Sequence, residues 1–453
     1  MFAFSPATIT GANTLVRPYF MRRVVITGIG IISPIGIGVR AFWDNLLAGQ
    51  VGVRRIASYD PSGFPSQIAG EVPPYKIGDY VPKSYRKATK VMARDIELAV
   101  VAADDAFKDA GLKSKAYTDT PTIDPFRFGC NIGAGLISAE LNELTAAMHT
   151  ARAGGSNKLD LKAWGRDGMN QLTPLWLLKY LPNMLACHVT IIHELKGPSN
   201  TITCADASSH LAIGEAFRTI QRGKADLAIC GGAESKVNPM GHMRQSLLKR
   251  LTESHNETPE QAVRPFDADA AGTAIGEGGG LFILEEYDRA KQRNAKIYAE
   301  LVGFGASQDT HKITEPCPTG DSYAKAITKA LADAKVAADD VSLLIPCGLG
   351  IPSHDRAELA GLQQAFGPRL ASLPLSPIKS QIGNLAAGSG VDAAAAALSL
   401  HANKIPPAPN TRKTLDRTKL NVSPETRQAD LNATVSSIYS LGGQNAALVF
   451  KKV

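Results

Sequence analysis

The chain has 453 residues, of which 44% are hydrophobic and 20% charged, the composition of a soluble globular protein with a large core and room for one big or two ordinary domains. Its 49 Lys and Arg against 42 Asp and Glu leave a net charge of +7; without interleaved aromatic residues the basic positions do not favour nucleic acid. No stretch approaches the ~18 uninterrupted apolar residues of a membrane span, so no membrane partner is expected.

Residues 1–20 (MFAFSPATITGANTLVRPYF) lack a basic start and a continuous apolar run, so they read as an N-terminal extension rather than a secretory signal, ahead of a fold that begins near Met21. From there, short apolar runs closed by glycine alternate with helical patterns: RRVVITGIGIISP (22 to 34), FRFGCNIGAG (126 to 135), ADLAICGGAES (225 to 235), GGLFILEEY (279 to 287), IYAELVGFGAS (297 to 307), VSLLIPCGLG (341 to 350) and NAALVFKKV (445 to 453). The alternation predicts an α/β protein with largely buried sheets. Helices are predicted over 86 to 111, where Val91, Ile96, Val100 and Ala103 recur at helical spacing, over 206 to 221, and over 384 to 401. The charged stretch RAKQRNAKIY (288 to 297) is placed as the join between two halves, 21–287 and 288–453. Each half contains a strand that breaks into an Ala-rich helix, CADASSHLAIGEA and IGNLAAGSGVDAAAAALSL, which fits two similar layers packed together.

Six cysteines (130, 187, 204, 230, 317 and 347) show neither CxxC nor a Cys/His metal spacing. They read as free thiols in a reducing cytoplasm, and no metal or cofactor is expected. Basic residues cluster at Lys83, Arg86, Lys87, Lys90 and Arg94, and at Arg244, Lys249 and Arg250. Such clusters form either a solvated face or a patch that steers an acidic partner.

The stretch NTITCADASSHLAIGEAF (200 to 217) carries a strand into a helix, a corner at which helix amides and the macrodipole stabilise an anion. Ile213, Ala216, Phe217 and Ile220 mark the buried stripe of that helix. Counting back puts Asp206 at the corner, as an N-cap or as a chemical group, and Cys204 inside the preceding strand. His210, one turn in, is read as an interior or interface histidine.

Taken together, VVITGIGIISPIG (24 to 36), LPNMLACHV (181 to 189), GPSNTIT (197 to 203), ADLAICGGAES, the long run from Arg264 to Gly305, PIKSQIGN (377 to 384) and LGGQNAALVFKK (441 to 452) resemble a β-ketoacyl-acyl-carrier-protein synthase of the condensing-enzyme (thiolase-fold) superfamily. The likeness runs from about Arg22 to Val453. It implies a five-layered αβαβα fold of two similar, ketosynthase-like halves, and a dimer whose interface includes the strand before the corner.

Active members of the elongating branch carry a Cys-His-His set and a lysine. By this resemblance the cysteine falls on Asp206. The first histidine, from a stretch like NAHGTSTP, falls on Cys347, and the second, from KSMTGH, on Asn384. The lysine is kept as Lys379, with Glu358 and Asp355 as acidic partners, and Lys379 is expected to be held by Glu358. Asp309 opens a loop (DTHKITEP) in which Lys312 replaces the family's histidine, and YSLGGQN (439 to 445) replaces a pattern like FGFGGTN. A carboxylate is a poor acyl carrier, since a mixed anhydride is more labile than a thioester. Losing one oxyanion donor alone costs on the order of 3 kcal/mol. The resemblance therefore implies a site inactive in condensation, a chain-length-factor-like subunit partnering an active ketosynthase or itself, and acyl carrier protein as a further partner. Two other readings stay open: an acyl-thioester-processing enzyme using Asp206 or Cys347, and an acyl-chain or carrier-binding homodimer.

Overall fold

Ten consecutive residues, Val24–Ser33, form strand β1 and are buried on both faces, which is why VVITGIGIIS shows no polar alternation. The computed structural model describes residues 21–152, 156–415 and 418–453; the N-terminal extension of 1–20 lies outside them.

The principal strands of the first half are β1, β2 (Phe128–Ala134), β3 (Ser199–Ile202), β4 (Leu227–Ser235) and β5 (Ile275–Glu286), lying in the order β3-β2-β4-β5-β1. Those of the second half are β6 (Ala299–Gln308), β7 (Leu343–Ile345), β8 (Ala433–Tyr439) and β9 (Gln444–Lys451), in the order β7-β8-β9-β6. A parallel bridge from Leu375 to Leu344 stands beside β7 where β3 stands beside β2 in the first half. The second half therefore repeats the strand order of the first. The halves meet where Val24–Ile26 of β1 pair antiparallel with Ala299–Leu301 of β6.

Helices α1 (Arg94–Asp109) and α2 (Met184–His193) cover the outer face of the first half. Helices α3 (Ser208–Gln221) and α6 (Gly390–Ala402) lie between the two sheets, where Ile213, Phe217 and Val391 share one core with Ile26, Phe282, Leu448 and Phe450. Helices α4 (Asp321–Ala334) and α5 (Pro352–Phe366) cover the outer face of the second half. The result is the five-layered α/β, thiolase-like fold expected from the sequence.

Close contact between layers depends on glycine. A Cβ on Gly390 at the start of α6 would lie 2.1 Å from the carbonyl oxygen of Gly280 in β5, so the helix can seat on the sheet only if both positions lack side chains.

The helix expected over 86 to 111 is divided. Lys83–Val91 form 3-10 turns with no buried residue, Met92 and Ala93 are extended, and the α-helix begins at Arg94. Val91 is exposed because the apolar period that buries a helix face starts only at Ile96. The second helix begins at Ser208 rather than 206, and the third at Gly390 rather than 384, each preceded by a short 3-10 turn.

Candidate active site

Strand β3 ends at Ile202, and the chain turns through Ala205–Ala207 before α3 starts. Ala205 takes φ 46°, a left-handed conformation that costs a non-glycine residue on the order of 1 kcal/mol. The turn sets Asp206 at the corner, 2% exposed, facing a cavity of about 430 Å³. The N-cap reading of Asp206 fails: its side chain makes no capping bond, and Oδ1 is buried without a hydrogen-bond partner. The intervening 3-10 turn carries it away from the first helical amides. Ser208 works in this corner instead, its hydroxyl accepting from the Cys204 amide (2.7 Å) and donating to the Ala134 carbonyl (3.1 Å).

Cys204 lies past the end of β3 rather than inside it, half-buried, and packs against the outer core of the second half. It is absent from the cavity wall, and burial raises its thiol pKa. The wall is apolar at Leu136, Leu247, Leu248 and Leu441, and polar at Asp206, Arg250, Thr273 and Asn384. Leu441 thus occupies the cavity wall in the loop where the family pattern carries a phenyl ring.

Asn384 is 6% exposed. Its Oδ1 accepts from the Ala386 amide at 3.0 Å, so the NH₂ remains as the free hydrogen-bonding group of the side chain. Cys347 is fully buried and outside the cavity wall. Burial holds its thiol well above the ordinary range, more than the neighbouring Lys379 ammonium can offset. Its backbone N–H donates to Glu358 Oε1 (2.8 Å), and that of Gly348 to Oε2 (2.9 Å).

Glu358 therefore holds the loop rather than the lysine. Lys379, 1% exposed, pairs with Asp392 Oδ1 at 2.6 Å. Burial works against the charge of Lys379, but the Asp392 carboxylate outweighs it and the pKa stands at about 12. The expected Lys379–Glu358 pair is replaced because Asp392 enters from the first turn of α6, while Glu358 is committed to two amides and the Tyr323 hydroxyl (2.7 Å). Asp355 is engaged similarly, accepting from the Phe266 amide at 2.7 Å. Asp309 lies outside the cavity wall. It accepts from the amides of His311 and Cys317 and ties this loop to Gly443, whose carbonyl accepts from the Asp309 amide at 2.6 Å.

Two residues of this region are not expected at the site from the sequence. His354, in the first turn of α5, is 4% exposed, and its ring stands 6.0 Å from that of Tyr439. Burial, with Arg250 assisting and Asp206 opposing, lowers its pKa to about 4, so it is neutral at pH ~7. The signal for it was its place one residue before Asp355 in IPSHDRAE. Arg250 was read as part of a basic surface cluster, yet it is 4% exposed and lines the cavity; Arg244 lines it too, and only Lys249 of the three is exposed. The helix Pro239–Leu247 and the return of the chain through Thr252 turn this segment inward. In the first cluster Lys83, Arg86, Lys87 and Lys90 are exposed, while Arg94 is tied to Glu277 at 2.7 Å. His210 is an interior histidine, bonded through Nε2 to the Ser436 hydroxyl at 2.8 Å. All six cysteines are free, and no group of side chains suited to a metal ion occurs among the described residues. No helix among them is long and apolar enough to cross a membrane.

Residues 21–290 match the family described as beta-ketoacyl synthase, N-terminal domain, and residues 298–412 match its C-terminal domain. The chain is 33% identical over 442 residues to 3-oxoacyl-[acyl-carrier-protein] synthase 2 of Rhizobium meliloti (strain 1021), covering 95% of this chain and 99% of that protein. It is also 33% identical over 433 residues to the protein of the same name from Staphylococcus aureus (strain COL), covering 95% and 98%. Among solved structures it resembles the ishigamide ketosynthase/chain length factor, at TM-score 0.81 and 28% identity, over 96% of this chain and 100% of that one. A type II polyketide acyl-carrier protein in complex with its ketosynthase bound to the hexaketide gives TM-score 0.81 at 25% identity, again over 96% and 100%. The chain belongs to the β-ketoacyl synthase family.

Proposed function

We propose that this chain is a non-condensing, ketosynthase-like subunit of fatty acid or polyketide synthesis that pairs with an active ketosynthase, as a chain length factor does. The observation that carries the reading is the cavity at the strand-to-helix corner: a carboxylate stands at Asp206, and neither a thiol nor an imidazole lines the wall. Without a thiol there is no acyl-enzyme, and without imidazoles there is no donor matched to neutral pH for a decarboxylating malonyl group. The sealed Cys347 does not substitute, because a thiolate there is disfavoured by burial.

Two surface features favour a second subunit. Strand β3 pairs with β2 on one side only, which leaves an edge available for strand addition. Nearby in sequence, large apolar side chains including Leu141, Leu161, Leu175 and Leu177 are exposed, a surface that a second subunit would cover. One structural relative is a ketosynthase/chain length factor, and another holds an acyl-carrier protein with its ketosynthase; acyl carrier protein is the expected third component, with Lys83, Arg86, Lys87 and Lys90 as its docking patch. Coexpression with ketosynthases from the same gene neighbourhood should yield a heterodimer. Recovery only as a homodimer, with each ketosynthase fully active alone, would overturn the proposal.

A second reading, an acyl-thioester-processing enzyme, draws on Asp206, whose carboxylate accepts no hydrogen bond from any described residue and is free to act as a base. Incubation with acyl-thioester probes decides this: no adduct by intact mass, and no hydrolysis that Asp206→Ala removes, would eliminate it.

A further inference from the structure

The cavity floor carries unmet hydrogen-bonding capacity of both kinds. Asp206 Oδ1, Arg250 Nε and Thr273 Oγ1 are all buried without partners. Close by, so are His354 Nδ1, on a ring that feels both Asp206 and Arg250, and Tyr439 Oη, on a ring 6.0 Å away and tilted by 35°. Arg250 gives one side-chain hydrogen bond, to Gln245 Oε1 at 3.2 Å. Asn384 adds an NH₂ donor. Buried polar groups are almost always satisfied, so a cluster of orphans around a cavity marks the place of a ligand or of ordered water. Of the other cations of the wall, Lys236 is paired with Glu234, whereas Arg244, half-exposed at the rim, gives one hydrogen bond to the Ser138 hydroxyl at 3.0 Å and keeps its charge under the screening of solvent.

The floor therefore presents one carboxylate and one guanidinium with open positions, and the exposed side is apolar at Leu136, Leu247 and Leu248. We propose that the cavity takes the uncharged, hydrogen-bonding end of an apolar chain, an alcohol or an amide, and rejects a carboxylate. A ligand carboxylate at the floor is repelled by Asp206 and attracted by Arg250, so the two Coulomb effects oppose each other, and the attraction of Arg244 at the half-exposed rim is screened by water. The loss of its hydration then decides against it. An alcohol or amide loses far less hydration. It donates to Asp206 and accepts from Arg250 or Thr273, satisfying both orphans at once. This is opposite to what a malonyl-accepting chamber requires. The inference concerns this chain alone and stands whether or not a partner ketosynthase is found.

The test uses the purified full chain with octanamide, 1-octanol and octanoate at slightly alkaline pH, read by calorimetry. Octanamide and octanol are expected to bind at least about tenfold more tightly than octanoate. The isosteric Asp206→Asn, checked for folding by thermal melting, should raise octanoate affinity by about tenfold and close most of the gap. Octanoate binding as tightly as octanamide to the native chain would overturn the proposal. So would failure of amide and alcohol to bind, or octanoate binding insensitive to Asp206→Asn, which would place it on Arg244 at the rim. If Asp206→Asn does not fold, the native ratio alone decides.

Discussion

Lys379 Nζ and Asp392 Oδ1 form an ion pair at 2.6 Å with side-chain exposures of 2% and 1%, clamping the turn Lys379–Ile382 onto the first turn of α6. Asp392 Oδ2 has no partner, so the pair is not fully compensated by hydrogen bonds. Removing one member leaves a bare buried charge and is expected to cost roughly 3–5 kcal/mol. Lys379→Met and Asp392→Leu should each lower the urea midpoint sharply, and the double variant should be clearly more stable than the sum of the two losses. Additive losses in the cycle would show that the two charges are not coupled.

The contact between Gly280 and Gly390 gives a second expectation. A Cβ at Gly390 would meet the Gly280 carbonyl oxygen at 2.1 Å, and that obstacle is backbone of the central sheet, which cannot swing aside as a side chain does. Gly390→Ala should therefore destabilise by more than the ~1–3 kcal/mol usual for an added core methylene. Gly63→Ala, where a Cβ meets nothing within 4 Å, should change the melting temperature little.

The architecture was legible because burial on both faces erases polar alternation: β1, β4 and β5 read directly as apolar runs broken by glycine, and α3 and α6 as helices from their apolar and Ala-rich runs. Asp206 at the corner was legible as well, since the stripe Ile213, Phe217 and Ile220 fixes the register. What was hidden arises between segments distant in the chain. Nothing local distinguishes Asp392 from Glu358 as the partner of Lys379; only the crossing of α6 over the turn does so. Arg250 looked like a surface cation because its neighbours are cations, and its burial depends on the fold-back of residues 250–273. Asp206 failed as an N-cap because a 3-10 turn, invisible in the pattern, comes before the helix.

The thiols provide a map of the corner. Cys130, Cys230 and Cys347 are buried, whereas Cys187, Cys204 and Cys317 are partly exposed. Alkylation of the native chain should stop at three adducts by intact mass, with peptide mapping leaving Cys347 unmodified. Asp206→Cys should add a fourth reactive thiol, now in the cavity, and that thiol should take an acyl group from a thioester probe. Condensation should remain absent, because Cys347 and Asn384 still supply no imidazole. An unreactive thiol at 206 would mean that the side chain does not reach the cavity.

Stability should depend on pH in a way that the buried groups determine. Burial lowers His193 and His210 to about 3 and His242 and His354 to about 4, so between these values and ~6.5 the unfolded chain binds more protons and acid destabilises. Burial raises Asp95 and Glu358 to about 7, Asp105 to about 6, and Asp355, helped by the neighbouring Glu358, to about 8. There the folded chain binds more protons, and stability falls as pH rises from ~4 through these values. From about pH 4.5 to 6 the two sets offset each other. Above ~6.5 only the carboxylates act, so stability should decline by roughly 1–3 kcal/mol up to about pH 8. Below ~4 the raised carboxylates are protonated in both states, while His193 and His210 still resist charging, and Asp226, held at about 2 chiefly by Arg127, loses its ion pair. Stability should then fall steeply. Urea midpoints measured across this range should trace a mildly acidic plateau with a slow alkaline and a sharp acid decline; a curve rising steadily from pH ~6.5 to 8 would contradict the burial of Asp355 and Glu358 in their protonated forms.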